Sequence, residues 1–358
     1  MNSIYHQILE QVRSGSRIVL ATVIRTSGST PQKPGSSALF GENGLLDGTV
    51  GGGILEWEVA HISGSVLITG VSDHYYFNLD TDQDDDGAIC GGEAVVLIDA
   101  NPGKHLKALE EMEQSLLNRQ AGLLMTTISR ETDNGRSIDR YWITEGGTEF
   151  LPSEFDQEMR DHLSAHFSTP AYMGFGELEL TPSVHSHYEI VFVESIKPLP
   201  HLVIAGAGHV GKALAHIGSL LDFEITVIDD RTEYANKENI PDADHLIVED
   251  IGKAMAALDT GADTYIVIVT RGHNHDADAL RPCVSSNAAY VGMIGSSNKV
   301  GIMKKRFLEK GWSSPEQWSR IHTPIGLPIG SKSVQEIAVS IAAQLVSVRH
   351  QNNKINAG

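Results

Sequence analysis

Residues 202–211 read Leu202-Val203-Ile204-Ala205-Gly206-Ala207-Gly208-His209-Val210-Gly211. A short apolar run ends at Gly206, and glycines with the spacing G-x-G-x-x-G separate it from a helical pattern. In a strand–loop–helix unit the first glycine permits a tight turn, the second lets a phosphate approach the backbone, and the third lets helix and strand pack closely. The helix N-terminus adds free N–H groups and a partial positive charge. The stretch predicts a Rossmann-type loop that binds a dinucleotide or another phosphate.

The chain beyond this loop alternates between strand and helix patterns. Nearly continuous apolar runs are typical of strands buried on both faces, and the alternation with helices predicts a doubly wound parallel sheet. Strands are expected at residues 202–205, 225–228, 246–248, 265–269 and 290–294.

Polar residues follow several of these strands, at the edge where ligands bind in such sheets. Asp229 ends the second strand, where a carboxylate commonly binds ribose. His273, His275, Asp276 and Asp278 follow the fourth strand and are candidates for metal binding or proton transfer. A solvated loop with an aspartate capping the next helix is the alternative for that segment. Gly295-Ser296 follows the fifth strand at another helix start and is a second candidate anion site.

The C-terminal helix pattern begins with a predicted capping box formed by Ser333 and Glu336. Its apolar face predicts either core packing or a homodimer interface. The residues that form this face are Ile337, Ile341, Ala342 and Leu345.

The N-terminal half has a different pattern. Its elements run up to Lys197-Pro198-Leu199-Pro200, a Pro-rich step that predicts a domain boundary. We therefore expect an N-terminal α+β domain at residues 1–197 and a Rossmann-like domain at residues 198–358. Helices are predicted at 4–13, 54–62 and 104–118, and strands at 18–24, 37–40, 66–68, 75–79, 94–98 and 188–193, with hairpins at 122–150.

Three segments of this half are candidate ligand loops, because glycine lets the backbone approach a ligand or another loop. The first is Gly28 to Lys33. The second is Gly48 to Glu56, which contains Gly51-Gly52-Gly53 and places Glu56 in a predicted first helical turn, where the helix dipole alone favours a carboxylate. The third is Cys90-Gly91-Gly92. Cys90 could be a thiolate ligand, a sulfur carrier or a small buried residue, whereas Cys283 is expected to be buried.

Residues 82–93 match the D-x-D-x-D-G-x5-E pattern of a calcium loop. The context is wrong, because a strand pattern follows at 94–98 where an EF-hand requires a helix. A solvated acidic loop is the expected structure.

Bulk composition narrows the functional classes. The 358 residues carry a formal net charge of -19, which disfavours nucleic acid and anionic membranes as partners. Two cysteines form no disulfide framework and are typical of a cytoplasmic protein. The sequence shows neither a signal-peptide pattern nor an apolar run of about 18 residues, so we expect no membrane span.

Several motifs together resemble the xanthine dehydrogenase accessory proteins of the XdhC/CoxI family. In the first half they are Gly28-Ser29-Thr30-Pro31, the segment from Gly48 through the glycine triplet to Glu56, and Cys90-Gly91-Gly92. In the second half they are the Gly206 loop, Tyr290-Val291-Gly292-Met293-Ile294-Gly295-Ser296, and the loop from His322 to Gly330. The resemblance covers nearly the whole chain. One departure is Ser297-Asn298, where the family pattern suggests two arginines.

The resemblance implies a maturation factor that binds molybdenum cofactor, assists its sulfuration and inserts it into xanthine dehydrogenase or a related molybdenum hydroxylase. A cysteine desulfurase is a further implied partner. The catalytic candidates of the chain are Cys90, Glu56 and His273. The cofactor-binding candidates are Gly206, Gly208, His209, Val210, Gly211, Asp229, Gly51, Gly52, Gly53, Gly295 and Ser296.

Two other classes of function remain open on sequence grounds. One is an NAD(P)-dependent oxidoreductase with His273 or His275 as acid or base, and the other is a nucleotide-binding module without catalysis. A complete xanthine dehydrogenase is excluded, since an iron–sulfur cluster of the two-iron type usually needs four cysteine ligands and the chain has two cysteines.

Overall fold

The computed structural model describes residues 3–79, 92–130, 135–153, 155–168, 175–178 and 188–355. The chain divides into two compact units, Met1–Pro198 and Leu199–Gly358, which we call unit 1 and unit 2. Among the described residues, none of the helices combines the length and apolar character that a membrane span requires.

Unit 1 contains helices and strands in mixed order. Its helices are α1 (Ser3–Arg13), α2 (Gly53–Thr69), α3 (Leu106–Leu117) and α4 (Gln157–Ser168). Its strands are β1 (Val19–Gly28), β2 (Ser37–Gly41), β3 (Gly44–Gly48), β4 (Asp73–Asn78), β5 (Gly92–Asp99), β6 (Gly122–Ser129), β7 (Ile138–Ile143), β8 (Phe175–Glu177) and β9 (Tyr188–Ile196).

The strands of unit 1 form two antiparallel sheets, ordered β3-β2-β1-β5-β4 and β7-β6-β9-β8. The two sheets pack face to face, because Ile24 and Leu97 of the first share a buried cluster with Ile128 and Phe192 of the second. Helix α2 packs on the outer face of the first sheet and α4 on the outer face of the second. The N-terminal domain is therefore α+β, as predicted.

Helix α2 corrects one expectation. The predicted helix at 54–62 and the predicted strand at 66–68 form a single helix, which ends where Gly70 adopts φ 70 and donates its N–H to the carbonyl of Val66. Val66 is buried beside Leu55 and Val59, while Ile68 is 81% exposed. A three-residue apolar run fits a strand or a helix equally well. Packing of one helical face on the sheet decided between them.

Unit 2 is a parallel sheet with helices on both faces. Its strands are β10 (His201–Ala205), β11 (Glu224–Asp229), β12 (His245–Val248), β13 (Thr264–Ile268) and β14 (Tyr290–Met293). Its helices are α5 (His209–Leu220), α6 (Ile251–Ala257), α7 (His273–Cys283), α8 (Ser297–Glu309), α9 (Pro315–Ser319) and α10 (Val334–Ile355).

The sheet order is β12-β11-β10-β13-β14 with every pair parallel. Successive residues of the central strand β10 enter opposite cores: Leu202 and Ile204 pack with α5 and α10, and Val203 and Ala205 pack with α6 to α9. All four are completely buried. Burial on both faces explains the continuous apolar run, and the predicted doubly wound Rossmann-like fold is confirmed.

Helix α10 begins with the predicted capping box, since Glu336 accepts from the N–H of Ser333 at 2.9 Å and Ser333 accepts from the N–H of Glu336 at 3.3 Å. Ile341 and Leu345 are completely buried in the core of unit 2. These residues motivated the homodimer prediction, but they contact their own unit. The dimer stays a prediction without that support.

Candidate functional site

Two glycines of the loop between β10 and α5 are required by the fold itself. Gly206 has φ 118, and a Cβ there would lie 2.6 Å from the carbonyl oxygen of Val269. A Cβ on Gly211 would lie 1.9 Å from the carbonyl oxygen of Gly206. The first glycine lets the chain turn beside β13, and the third lets α5 pack onto its own loop.

At Gly208, by contrast, the fold itself does not require glycine. Its backbone is extended (φ -74, ψ -170), and a Cβ added there meets no described atom within 4 Å. It is the N-cap of α5, and as a glycine it has no side chain that could cap the helix. The space beside the helix N-terminus is therefore open, and a phosphate could approach the backbone only in the absence of a side chain.

Asp229 holds this loop in place. The buried carboxylate accepts from the N–H of Ala207 at 2.8 Å and from both Nε and Nη2 of Arg231, at 2.8 and 2.9 Å. Burial raises the pKa of Asp229, but the hydrogen bonds from Arg231 and Ala207 outweigh it and lower the pKa overall. A ribose hydroxyl would have to share the carboxylate with Arg231, so the predicted ribose contact stays a prediction.

The segments after β13 and β14 meet through a buried ion pair. Asp276 is completely buried, accepts from the Thr270 hydroxyl at 2.6 Å, and pairs with the ammonium of Lys299. Ser296 caps α8 by accepting from the N–H of Lys299 at 3.3 Å. Gly295 lies beside the same lysine, since a Cβ there would be 3.3 Å from Lys299 Cδ. The carboxyl edge of the sheet thus brings Asp276, Gly295 and Ser296 together.

The structure describes the side chains of only some of the metal candidates. Across the ranges that the structure describes, no three His, Cys, Asp or Glu side chains are grouped so that they could hold a metal ion. Asp276 is committed to Lys299, and His275 lies beside it in α7. The side chain of His273 is outside the described set, so its catalytic and metal roles stay predictions.

The glycine triplet of unit 1 is closed by its own helix. Gly51, Gly52 and Gly53 all have positive φ, at 133, 69 and 58. The Glu56 carboxylate accepts from the Thr49 hydroxyl and, at 3.3 Å each, from the N–H groups of Val50 and Gly52. Glu56 therefore occupies the position that an external anion would take at the N-terminus of α2.

The structure describes one of the two cysteines. Cys90 and most of the calcium-like pattern at 82–93 lie outside the described residues. Cys283 is buried, its Sγ donates to the carbonyl oxygen of Ala279 at 3.2 Å, and burial raises its pKa to about 12. The prediction that Cys283 is buried is confirmed.

Sequence reasoning missed a buried polar network in unit 1. The Tyr5 hydroxyl donates to Glu194 at 2.7 Å, and Arg140 pairs with the buried Asp99. Burial raises the pKa of Glu194 from an ordinary value near 4.5 to about 7, against the lowering effects of Tyr5 and Arg140. These residues lie on α1, β5, β7 and β9, so only the assembled sheets bring them together.

A second missed feature is an ion pair in unit 2. Nη2 of Arg271 lies 2.9 Å from Oδ2 of Asp230. Asp230 directly follows β11 and Arg271 follows β13, on either side of the central strand. Their positions at strand ends were the available signal, since such ends border the crevice in this fold.

Comparison with known proteins matches both units to one family. The profile described as the XdhC Rossmann domain matches residues 202–345, and the profile described as the XdhC and CoxI family matches residues 11–77. The first match contains the Gly206 loop and the carboxyl edge of the unit 2 sheet, and the second contains the Gly51–Gly53 loop.

Three curated relatives differ in coverage. A protein of Bacillus subtilis (strain 168) that is described as a probable subunit of xanthine dehydrogenase is 26% identical over 96% of this chain and 97% of its own length. YqeB of Escherichia coli (strain K12), described as uncharacterized, is 36% identical over 45% of this chain but only 29% of its own length. The molybdenum cofactor insertion chaperone PaoD of the same strain is 26% identical over 28% of this chain and 32% of its own length.

The same fold occurs in a solved structure. The crystal structure of a xanthine dehydrogenase from Bacillus halodurans superposes with a TM-score of 0.72 at 21% identity, covering 97% of this chain and 96% of that one. The likeness shows a shared fold. Both family profiles and the full-length Bacillus subtilis relative agree with the motifs and with the two observed units, and the chain belongs to the XdhC and CoxI family.

Proposed function

We propose that this chain binds molybdenum cofactor, assists its sulfuration and inserts it into a molybdenum hydroxylase of the xanthine dehydrogenase type. The observation that carries the proposal is the open cradle at Gly208, where glycine is required neither by its backbone angles nor by neighbouring atoms. Family membership and the name of PaoD, a molybdenum cofactor insertion chaperone, support the identity of the cargo, and the name of the Bacillus subtilis relative supports the client enzyme.

The cradle fits the cargo chemically. Molybdenum cofactor carries a phosphate, and a helix N-terminus binds phosphate through backbone N–H groups and the helix dipole. This mode needs no cationic side chain, which is compatible with a net charge of -19. In our proposal, the segment Gly208–Gly211 holds the phosphate, and Asp229 keeps the loop in shape through its bond to Ala207. A carrier that must release its cargo benefits from such an exposed site.

Cofactor loading tests this proposal directly. The purified chain is mixed with molybdenum cofactor, separated by gel filtration, and assayed for molybdenum and pterin fluorescence. We expect Gly208→Val to fold normally and lose retained cofactor, because the new side chain fills the cradle. Gly301→Val is the matched control, since Gly301 is exposed in the same unit and its Cβ position is also open. Undiminished retention by Gly208→Val would refute the proposed site.

The sulfuration step is assigned to Cys90. Cys283 is unsuited to it, because burial raises its pKa to about 12 and leaves a negligible thiolate fraction at neutral pH. Cys90 is the one cysteine in the sequence of unit 1, and a thiolate suits molybdenum or a transferable sulfur better than a hydroxyl does.

The two cysteine variants separate function from folding. Cys90→Ser should unfold at the parent temperature and fail to yield active, sulfurated client enzyme. Cys283→Ser should keep client activation in its folded fraction and lose about 1–3 kcal/mol of stability, because a hydroxyl replaces a buried thiol. Full client activation by Cys90→Ser contradicts the assignment.

A nucleotide ligand is the second candidate, favoured by the position of Asp229 at the end of β11. NAD(P) is added to the purified chain, and hydride transfer and binding are measured separately. Turnover that depends on His273 or His275 would replace the carrier proposal with an oxidoreductase. Nucleotide binding without turnover, and without cofactor retention, would indicate a binding module.

A further inference from the structure

Three cationic side chains extend from segments at the carboxyl edge of the unit 2 sheet, and each contacts a carboxylate. Arg231 pairs with Asp229, Lys299 with Asp276, and Arg271 with Asp230. The pairs differ in burial and in their other contacts. Those differences decide which cation is available to a ligand.

Arg231 is not free to turn toward a ligand. Its guanidinium forms two hydrogen bonds to Asp229, whose side chain is 2% exposed, and stacks 3.7 Å from the ring centre of Tyr234. Moving Arg231 away would leave the buried carboxylate of Asp229 without its partner, which would destabilise the folded chain.

Lys299 is committed in the same way. Its partner Asp276 has a completely buried side chain that is also fixed by the Thr270 hydroxyl at 2.6 Å. Removing the ammonium would leave Asp276 as an uncompensated buried charge. This pair links the segment after β13 to α8, and its role is to stabilise the fold of unit 2.

Arg271 is the exception. Its side chain is 52% exposed and that of its partner Asp230 is 32% exposed, at an Nη2–Oδ2 distance of 2.9 Å. Water can solvate either group when the pair opens, so an exposed pair contributes little to stability and exchanges readily. Asp230 also keeps a second cation nearby, since Nε of Arg231 lies 3.9 Å from its Oδ1.

The Arg271–Asp230 pair lies next to the glycine loop. Strand β10 lies between β11 and β13 and leads directly into Gly206. Neighbouring strands lie about 4.8 Å apart, so the pair connects segments whose strands are separated by roughly 10 Å. Gly206 is bonded to one neighbour, its N–H donating to Ile228 at 2.8 Å, and approaches the other closely at Val269. Arg271 is thus anchored next to the strand end from which the cradle begins.

We propose that Arg271 is the side chain that binds the phosphate of the ligand, and that Asp230 holds its guanidinium beside the glycine loop and competes with the phosphate for it. The inference rests on the proposed function, because it names a specificity-determining residue of the same crevice. The ligand class is a phosphate monoester or diphosphate. Arginine suits that class, since its planar fork binds two phosphate oxygens at once.

The two residues of the pair should act in opposite directions. Arg271→Ala removes a charge-assisted contact and should raise Kd about tenfold or more. Asp230→Asn removes the competing carboxylate and should lower Kd, by about threefold. In the double variant the gain from Asp230→Asn should vanish, because no guanidinium remains to be released.

The experiment measures Kd by calorimetry with molybdenum cofactor, ADP and inorganic phosphate as separate probes. Arg320→Ala and Asp259→Asn are the charge-matched controls, since both residues are exposed in the same unit. They should leave Kd unchanged. Arg271→Lys keeps the charge without the fork and should fall between the parent and Arg271→Ala.

The outcomes separate the inference from the proposed function. Opposite shifts with any of the probes support the role of Arg271, and the probe that responds identifies the source of the phosphate, pterin or nucleotide. A response to ADP alone would uphold Arg271 and refute molybdenum cofactor as the cargo. If molybdenum cofactor binds and both variants weaken it, or neither changes it, the pair is structural and the inference is overturned while the proposed function stands.

Discussion

The chain contains two glycine-rich loops that open helices, and they are used in opposite ways. In unit 1 the loop Gly51–Gly53 turns back on Glu56, whose carboxylate accepts N–H groups of Val50 and Gly52. In unit 2 the carboxylate of Asp229 binds Ala207, before the N-cap, and leaves the space at Gly208 open. One helix N-terminus holds an internal anion, and the other is available to an external one.

The difference shows that a run of glycines does not by itself mark a ligand loop. In unit 1 the positive φ values of all three glycines account for the residue type. In the unit 2 loop, Gly208 is the one of the three spaced glycines that lacks such an explanation. At a helix N-terminus, a glycine that neither its angles nor its packing requires is the better candidate for a phosphate contact.

The largest expected effect distinguishes the glycines within the unit 2 loop. Gly211→Ala should destabilise unit 2 by more than about 3 kcal/mol, because the methyl group would lie 1.9 Å from the Gly206 carbonyl oxygen. Gly208→Ala should change stability by less than about 0.5 kcal/mol. Urea unfolding of both variants measures the contrast. Equal losses would mean that Gly208 also has a packing role.

The second-largest effect is expected at Asp229, one of the two carboxylates that bind the glycine loops. Asp229→Asn leaves Arg231 without its anionic partner in a site where the aspartate side chain is 2% exposed, and should cost about 2–4 kcal/mol. Thermal unfolding of unit 2 and loss of phosphate binding are the two readouts. A variant that keeps the parent unfolding temperature would show that the carboxylate does not organise the loop.

The units should also differ in their response to pH. Because burial raises the pKa of Glu194 to about 7, the folded chain retains a proton that the unfolded chain has released above about pH 4.5. The free energy of unfolding of unit 1 should therefore fall as pH rises from about 4.5 to 7, by at most about 1.4 kcal/mol per pH unit.

Glu194→Gln isolates this contribution, since the amide oxygen can still accept from Tyr5 and does not titrate. Unfolding at pH 5 and pH 7.5 compares the variant with the parent. The difference between the two proteins should grow with pH in favour of Glu194→Gln. A difference independent of pH would place the ionisation of Glu194 outside this range.

The smallest effect concerns the self-capped loop of unit 1. Glu56→Gln keeps an acceptor for the loop N–H groups but loses the charge, and should cost about 0.5–1 kcal/mol. Molybdenum cofactor retention should be unchanged if Glu56 only caps α2. If Glu56→Gln loses cofactor retention at unchanged stability, Glu56 binds the cofactor directly. The two glycine loops would then not differ in the way proposed here.

Local pattern was sufficient for most of unit 2. The apolar run of β10, the glycine spacing and the capping box of Ser333 and Glu336 are short-range features, and each was observed as predicted. Unit 1 was harder, since the apolar residues 66–68 fit two structures until the sheet beneath α2 was present. The split of residues by face, with Val66 buried and Ile68 exposed, depends on that neighbour.

The sequence by itself determined the parallel sheet of unit 2 and the glycine loop that opens α5, because periodicity, turns and caps act between residues close in the chain. Only the tertiary structure decided which polar groups are already engaged. Asp229 with Arg231, Asp276 with Lys299, Glu56 with its loop and Glu194 with Tyr5 are settled by burial and distance. The pairs Asp276–Lys299 and Glu194–Tyr5 join residues far apart in the chain, so they depend on which strand ends and sheets become neighbours, and no local pattern specifies that. Asp229 and Glu56 bind Arg231 and Gly52, which are close to them in sequence, and there the tertiary structure decided the burial of Asp229.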